Sequence, residues 1–381
     1  MKKKEDIKKS SRKKLHEKAV KNIQEEIKKI DKKENKILFY VLDTEGYASG
    51  SLAYEYQLAK IAKDAGYNVS MVYQVDDKEG EFVGVDGWLG EEYSSIPHIN
   101  LNNEEVEANP SDVLFIPEIF SQVMNQTKKI PCKRIAIMQN FDYIVAQTPF
   151  SAQWGDYGML EAISNTEENK ELLNSIFPYV KTTVIDPYID KMFGEIKKPK
   201  KCVVNVVSRN PDDVTRLVKV FYWKYPLMRW VAFTDLRGMN KEKFADALRE
   251  GFLTIWMDQD ASFGYSAIEA MKCGNVVFAM VPKTGKKWMY EEDGETLNKS
   301  CFWFDNINQM QDKIATLVRS FIVDRIPDTV YKEQERVKEM YSEENTKKQF
   351  IAYLEGIMEE RKKSLKELET IGNKELKNEE K

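Results

Sequence analysis

Short apolar runs alternate with amphipathic helical stretches along most of this 381-residue chain, and this alternation constrains the fold more than any other feature. The first run, residues 37–42 (ILFYVL), has the continuous apolar character of a parallel strand that is buried on both faces. A loop with two glycines follows, then a predicted helix over residues 52–65 and a second strand over residues 68–74. Such strand–helix–strand units close with right-handed crossovers, so the chain is predicted to build parallel sheets flanked by helices.

The same alternation starts again after a Lys- and Pro-rich stretch at residues 197–201, which is typical of a linker. Two domains are also what a size of about 100–200 residues per domain predicts for this length. We therefore predict an α/β protein with two Rossmann-like, doubly wound domains that face a cleft. The predicted divisions are a basic helical arm at 1–35, a first, acceptor-binding domain at 36–195, a second, donor-binding domain at 196–325 and charged helices at 326–381.

Charge is distributed unevenly along the chain. The first 36 residues hold 15 Lys and Arg against 7 Asp and Glu, so the remainder carries a net charge of -12 in a chain of net charge -4. The arm has one narrow apolar stripe at helical spacing, which predicts that it lies on the body of the protein or associates with a second copy. Contact with a membrane surface or with nucleic acid is the alternative. The stripe consists of Leu15, Ala19, Ile23, Ile27 and Ile30.

Four cysteines without a C-x-x-C pair, together with two histidines, argue against a zinc site or a disulfide framework. The N-terminus lacks the apolar stretch of a signal peptide, and no run of about 18 apolar residues is present to span a membrane. We therefore expect a cytoplasmic protein with no bound metal or cofactor. Peripheral attachment to a membrane or to nucleic acid through the arm stays open.

Loops after the apolar runs are the candidate site, because open α/β sheets bind ligands at the carboxyl ends of their strands. After the first strand, Gly46 and Gly50 permit close backbone approach, and a helix that starts near Ser51 offers free N–H groups to an anion. An ordinary glycine turn is the alternative.

A second candidate loop follows the first strand of the second domain. There Arg209 and Asn210 stand at the strand end, and the Arg209 guanidinium is suited to bind a diphosphate with two hydrogen bonds. A surface ion pair of Arg209 with Asp212 or Asp213 is the alternative.

The strongest signal is the stretch 256–274 (WMDQDASFGYSAIEAMKCG). A buried strand ends in an acidic, hydroxyl-bearing turn, and a helix then begins close to Gly264 and presents its N-terminal amides to a phosphate. Glu269 follows about one and a half turns into that helix, where a carboxylate can accept both hydroxyls of a ribose; a solvent-facing glutamate is the alternative. The candidate donor-binding residues of this stretch are Ser262, Phe263, Gly264, Tyr265 and Ser266.

The order and spacing of Phe263-Gly264, Glu269-Ala270-Met271 and Cys273-Gly274 resemble the donor-binding signature of the retaining family 4 glycosyltransferases, which have the GT-B fold. Residues 184–193 (VIDPYIDKMF) resemble the interdomain phrase of that family, and Ser208-Arg209 resembles its Gly-Arg pair. The resemblance covers residues 36–325 and is sharpest at 256–274.

This resemblance implies an enzyme that moves a sugar from a nucleotide sugar to an acceptor hydroxyl, with retention and without a metal. Glu269 would contact the donor ribose, amides near Phe263 to Tyr265 would meet the diphosphate, and Arg209 would stabilise the leaving nucleoside diphosphate. The first glutamate of the family motif falls at Ala261, and the adjacent Asp260 is its candidate substitute. The implied catalytic residues are thus Arg209, Glu269 and Asp260.

Two further family residues lack counterparts, namely a lysine soon after Arg209 and a first-domain histidine. A GT-B scaffold that binds a nucleotide or a protein partner without catalysis is therefore the non-enzyme alternative.

The acceptor is expected on the first domain, and its identity stays open between a glycan, a lipid and a modified base in DNA, the last as in phage-type transferases. The basic arm favours the lipid or the DNA, while the acidic body argues against DNA. The candidate acceptor-binding residues, all on predicted strand-end loops, are Asp43, Tyr47, Asn140, Asp142 and Tyr143, with Glu118 beside them.

Overall fold

A computed structural model describes the chain apart from residues 1, 31–32, 44–48, 75–88, 195–198, 262, 284–285, 324, 327 and 380–381. Within the described residues, the strands form two parallel sheets, one in each lobe. The strands are β1 (Lys36–Tyr40), β2 (Asn68–Tyr73), β3 (His98–Asn100), β4 (Val113–Pro117), β5 (Lys133–Met138), β6 (Glu161–Ser164), β7 (Lys181–Val184), β8 (Lys201–Val207), β9 (Ala232–Asp235), β10 (Gly251–Trp256), β11 (Val276–Met280) and β12 (Phe302–Phe304).

Helices cover both faces of the sheets and both ends of the chain. They are α1 (Lys2–Lys29), α2 (Gly50–Asp64), α3 (Ser121–Gln126), α4 (Phe141–Gln147), α5 (Glu167–Ile176), α6 (Pro211–Lys224), α7 (Lys241–Glu250), α8 (Tyr265–Lys272), α9 (Ile307–Ile322), α10 (Asp328–Met340) and α11 (Glu343–Glu379).

The first sheet has the strand order β3-β2-β1-β4-β5-β6-β7, and its neighbouring strands are parallel. The chain first adds strands on one side of β1 and then crosses over to add β4 on the other side. This reversal places a topological switch point between β1 and β4, where α/β sheets open a crevice for ligands.

The second sheet has the order β12-β11-β10-β8-β9, again parallel, and its switch point lies between β8 and β10. Leu253 to Trp256 of β10 pair in register with Val204 to Val207 of β8. Two doubly wound parallel sheets are the predicted architecture, which is thus confirmed. The predicted strand at 229–233 instead begins at Ala232, because a 3-10 helix (Pro226–Met228) precedes it.

Aromatic packing joins the end of the chain to the first lobe. The rings of Phe39 and Phe115, from adjacent strands, stack with centroids 4.7 Å apart, and Phe350 of α11 lies 6.4 Å and 5.9 Å from them. Helix α10 instead packs on the second lobe through Val337. The charged tail predicted at 326–381 is therefore divided between the lobes, because apolar residues at helical spacing on α11 complete the core of the first sheet.

The basic arm forms α1, which runs antiparallel to α11 of the same chain. Gln24 Nε2 donates to Glu369 Oε1 over 2.7 Å, and the buried Val20 packs beside Gly372. The arm thus lies on the body of the protein, which was one of the two predicted placements, and self-association through it stays a prediction. The predicted domain division between residues 195 and 196 falls outside the described residues.

Replacing Gly264 by alanine tests how tightly the start of α8 is packed. Gly264 has φ of +86°, and an added Cβ would lie 3.0 Å from the Trp256 ring and 3.2 Å from the Trp288 ring. Backbone strain of about 1 kcal/mol and overpacking of about 1–3 kcal/mol are expected together to lower the free energy of unfolding. Gly294 (φ +73°) has no atom within 4 Å of its Cβ position among the described residues, so Gly294→Ala serves as the control and loses only the strain energy. Equal losses of unfolding free energy in the two variants, as measured by urea unfolding, would show that the Trp256 and Trp288 rings shift to accommodate the added methyl group.

Candidate active site

Two helix N-termini, one from each lobe, meet across the cleft. Helix α2 begins at Gly50 after β1, and its cap Ser49 accepts a hydrogen bond from the Leu52 N–H at 3.3 Å. Helix α8 begins after β10, with Gly264 as its left-handed cap. A Cβ on Gly50 would lie 3.1 Å from the Tyr265 ring, so only glycine lets the helix ends approach this closely. Both ends direct free N–H groups and the positive pole of a helix dipole toward the cleft, an arrangement that favours an anion.

A cavity of about 200 Å³ lies between these helix ends. Both lobes line it, and four of the predicted site residues are in its wall: Gly50, Tyr265, Ser266 and Glu269. Its other polar lining residues are Ser49, Gln57, Tyr188, Asp190 and Lys241, of which the sequence analysis included only Tyr188 and Asp190, as part of the stretch 184–193.

An ion pair in the second-lobe wall closes one side of this cavity, because Asp190 lies between Ile189 and Phe193 of the second-lobe core. Lys241 Nζ, at the start of α7, lies 2.7 Å from Asp190 Oδ2, and both side chains are nearly buried. Lys241 also donates to the Leu89 carbonyl at 3.3 Å, and Asp190 accepts the Met192 N–H at 2.8 Å. The pair therefore holds the start of α7 against the segment that follows β7.

Glu269 projects from α8 into the cavity beside this pair. Its pKa is raised to about 8, mainly because burial disfavours the charged form; Lys241 opposes this shift and Asp190 adds to it. The carboxyl is therefore poised to change protonation just above neutral pH. The Tyr265 hydroxyl, in the same wall, is buried and has no hydrogen-bond partner among the described residues, so a ligand hydroxyl or phosphate would satisfy it.

Arg209 lies at the switch point of the second sheet, between β8 and β10. Asp258 Oδ1 accepts the Arg209 N–H at 2.7 Å, and the guanidinium Nε lies 3.7 Å from Asp258 Oδ2. The acid that pairs with Arg209 is therefore Asp258 and not Asp212 or Asp213. The guanidinium stays largely exposed, which leaves its other N–H groups available to a ligand.

Several predicted donor-binding and catalytic residues do not line the cavity. Asp260 pairs with Lys283 at 2.5 Å, and the Asn210 side chain caps α6 by accepting the Asp212 N–H at 3.0 Å. The Phe263 ring is buried against Tyr341, so only its backbone could meet a donor. Ser262 lies outside the described residues.

Ser51 faces away from the cleft cavity, although the sequence suggested a donor contact. Successive residues of an α-helix point about 100° apart, so Gly50 and Ser51 cannot face the same side. Ser51 lines a second, smaller cavity at the switch point of the first sheet.

The acceptor candidates of the first lobe lie around that switch point. Tyr143 lines the second cavity, and Asn140 caps α4 by accepting the Asp142 N–H at 3.1 Å. Asp142 itself is exposed and faces two lysines of the opposite lobe: it adds to the effect of Asp260, which raises the pKa of Lys283, and it opposes the effect of burial, which lowers the pKa of Lys286. Asp43 follows β1 and raises the pKa of Tyr73. Tyr47 is outside the described residues.

Buried carboxyl groups are the feature of this lobe that the sequence concealed. Glu118 was one of many loop candidates, and Glu55, inside α2, was not singled out. The signal available was a glutamate in the middle of an otherwise apolar and aromatic helical stretch, LAYEYQLA.

The described part of the chain has no candidate metal site and no candidate membrane-spanning helix. It has no group of three or more His, Cys, Asp or Glu side chains placed to hold a metal ion. Its helices include none with both the length and the apolar character needed to cross a bilayer.

Comparison with known proteins identifies the fold. No family model matches the chain. The alpha-1,6-glucosyltransferase of Actinobacillus pleuropneumoniae serotype 7 (strain AP76) is 25% identical over 195 residues, which are 48% of this chain and 56% of that protein. The chain thus matches only about half the length of this curated relative.

Solved structures match over most of the chain. The pneumococcal O-GlcNAc transferase GtfA, in complex with UDP and GlcNAc, gives a TM-score of 0.61 at 9% identity and covers 85% of this chain and 99% of its own. Anabaena HepE in complex with UDP-glucose gives 0.56 at 12% identity, with 84% and 99% covered. The GT-B fold predicted from the sequence is confirmed, whereas the assignment to family 4 stays a prediction.

The raised pKa of Glu269 predicts a pH-dependent difference in stability between the wild type and Glu269→Gln. The folded protein holds this proton up to a pH of about 8, while the unfolded chain releases it near 4.5, so the wild type loses stability as the pH rises between these values. As the pH rises from 5 to 9, we expect the free energy of unfolding of Glu269→Gln to increase by about 1–3 kcal/mol relative to that of the wild type, as measured by urea unfolding.

Glu242→Gln, an exposed substitution on the same lobe, is the matched control and should show no such trend. A difference between wild type and Glu269→Gln that does not change with pH would mean that the carboxyl is ionised throughout.

Proposed function

We propose that this protein is a glycosyltransferase that binds UDP-glucose in the cleft cavity and transfers the glucose to an acceptor hydroxyl with retention. The observation that carries the proposal is the cavity itself, in which two helix N-termini and the Glu269 carboxyl converge from opposite lobes. A nucleotide sugar needs such a pairing, since its diphosphate is an anion and its ribose offers two hydroxyls.

The similar proteins support the choice of donor. The curated relative is named an alpha-1,6-glucosyltransferase, and the solved structures of GtfA and HepE were determined with UDP and with UDP-glucose. The glucose of UDP-glucose is α-linked, so an α-linked product keeps the configuration of the anomeric carbon.

Each residue of the site has a definite task in this proposal. The Glu269 carboxyl forms hydrogen bonds with the ribose hydroxyls, and amides at the starts of α2 and α8 donate to the diphosphate. Arg209, at the switch point, stabilises the negative charge that develops on the leaving UDP. The donor leaves and the acceptor hydroxyl attacks from the same face of the sugar.

The size of the cavity sets a condition on binding. About 200 Å³ is less than the roughly 300–1,000 Å³ of typical ligand sites. Donor binding therefore requires the lobes to separate where Lys241 meets the Leu89 carbonyl, and the diphosphate would compete with Asp190 for the lysine.

A nucleotide-binding scaffold without catalysis is the second candidate function. It is favoured by one observation, that Ala261 occupies the position of an expected glutamate while the neighbouring Asp260 is engaged by Lys283. Such a protein would bind UDP and leave UDP-glucose intact.

Thermal unfolding with UDP tests the donor site. UDP at about 100 times its dissociation constant should stabilise the wild type by about 2.7 kcal/mol. Glu269→Ala should lose most of this shift and abolish release of UDP from UDP-glucose, while the control Glu242→Gln keeps both. Unchanged binding and turnover in Glu269→Ala would remove that residue from the site. A shift with UDP but no turnover of UDP-glucose in the wild type, with any acceptor, would favour the scaffold.

A further inference from the structure

A second cavity, of about 70 Å³, lies at the switch point of the first sheet, between the carboxyl ends of β1 and β4. The first turns of α2 separate it from the cleft cavity, and Ser49 lines both. Its position is the crevice in which open α/β sheets bind ligands, so the first lobe has a site of its own.

Three buried polar side chains line this cavity. Glu55, Glu118 and Gln139 are 4%, 1% and 1% exposed. Glu118 Oε1 accepts the N–H groups of Gln139 and Asn140 at 3.0 Å and 2.7 Å. Glu55 Oε1 accepts a hydrogen bond from Gln139 Nε2 at 3.0 Å.

Two oxygens of this cluster lack a partner. Among the described residues, neither Glu55 Oε2 nor Gln139 Oε1 has a hydrogen bond, although both atoms are buried. A buried polar atom left unsatisfied costs about 1–3 kcal/mol, so the cluster is incomplete without something that bonds to both oxygens.

The charges of the cluster decide what can bond to it. Burial raises the pKa of Glu118 to about 7 and raises that of Glu55 well above its usual range, with the nearby Glu118 adding to the shift of Glu55. Glu118 has two backbone N–H groups to support its charge, whereas Glu55 has only an amide. The charged form of Glu55 is therefore disfavoured, and its Oε2, which has no partner among the described residues, is the oxygen that can carry a proton for donation.

We propose that this cavity binds an uncharged hydroxyl group of the acceptor, held between Glu55 and Gln139. A hydroxyl both donates and accepts, so it receives the Glu55 proton at its oxygen and gives its own hydrogen to Gln139 Oε1. A water molecule occupies about 30 Å³ in the liquid, so the cavity has room for a hydroxyl or hydroxymethyl group and not for a whole sugar ring. This proposal rests on the proposed transferase function and makes the acceptor a neutral sugar.

Anionic groups are disfavoured in the same place. A phosphate or carboxylate would have to be desolvated next to Glu118, and like charges at such distances repel strongly in a buried site. The cluster thus selects against acceptors that would enter through a charged group.

Glu55→Gln and Glu55→Met form a matched pair for testing this assignment. Glutamine mimics the protonated carboxyl, because its amide still donates, whereas methionine has similar size and no donor. NMR titration of the UDP-saturated full-length protein would use methyl α-D-glucopyranoside as the neutral probe and glucose 6-phosphate as the anionic probe. We expect Glu55→Gln to bind the neutral probe within threefold of the wild type and Glu55→Met to bind it at least tenfold more weakly.

Affinity for UDP should stay the same in both variants, and Glu105→Gln, an exposed substitution on the same lobe, should match the wild type throughout. If Glu55→Met does not fold, the pH dependence of the wild type decides. Binding of the neutral probe should weaken with rising pH in the wild type, as Glu55 loses its proton, and stay flatter in Glu55→Gln.

Equal binding of the neutral probe by wild type and Glu55→Met, or tighter binding of glucose 6-phosphate, would overturn the proposal. So would an absence of sugar binding to the wild type, which would mean that the cavity holds water only. Failure of UDP to bind the wild type would instead count against the transferase function, and the sugar titrations would then be read without UDP.

Discussion

The geometry of the cleft depends on a buried ion pair in its second-lobe wall, Lys241 with Asp190, whose lysine also reaches the first lobe. Taking two charges out of water is repaid only when they meet at close range, and leaving one of them alone costs about 3–5 kcal/mol. At 2.7 Å, with the Leu89 carbonyl and the Met192 N–H completing their hydrogen bonds, the two groups meet that requirement, and the bond to Leu89 joins the pair to the first lobe. The same two charges act in opposite directions on the pKa of Glu269.

The chain crosses between the lobes at two places, and any movement of one lobe relative to the other must bend the chain there. The first crossing follows β7 and the second joins α10 to α11, and the two lie together because the Ile189 N–H donates to the Tyr341 carbonyl at 3.1 Å. Since α10 packs on the second lobe and α11 on the first, the core contacts of both helices resist separation. An anion that enters the cleft therefore competes with polar contacts such as that of Lys241 with the Leu89 carbonyl, and the apolar cores on either side need not open.

The sequence predicted those features that depend on residues close together in the chain. Tyr265, Ser266 and Glu269 fall within two turns of one helix, so helical spacing places them in one wall of the cavity. Strand and helix alternation likewise predicted both sheets, because parallel strands must be buried on both faces. Ser51 does not line the cleft cavity, because a single step along α2 from Gly50 turns its side chain away from the cleft.

Residues that contribute to the site only through partners distant in the sequence could not be identified in this way. Asp190 and Lys241 are 51 positions apart and read separately as ordinary surface charges. The division of the charged tail between the lobes was also hidden, because the apolar residues of α11 are few and become decisive only against Phe39 and Phe115.

The two cavities owe their different chemistry to one helix. Its N-terminal amides favour anions on the cleft side, and the dipole of the same helix favours an ionised Glu55 on the other side by at most about 0.3–1 kcal/mol within the first turn. Glu55 is the sixth residue of α2, beyond the range in which that dipole is strong, and burial of a charge costs several kcal/mol. Desolvation therefore prevails and disfavours the charged form of Glu55, so in our proposal α2 separates a cavity for a diphosphate from one for a neutral hydroxyl.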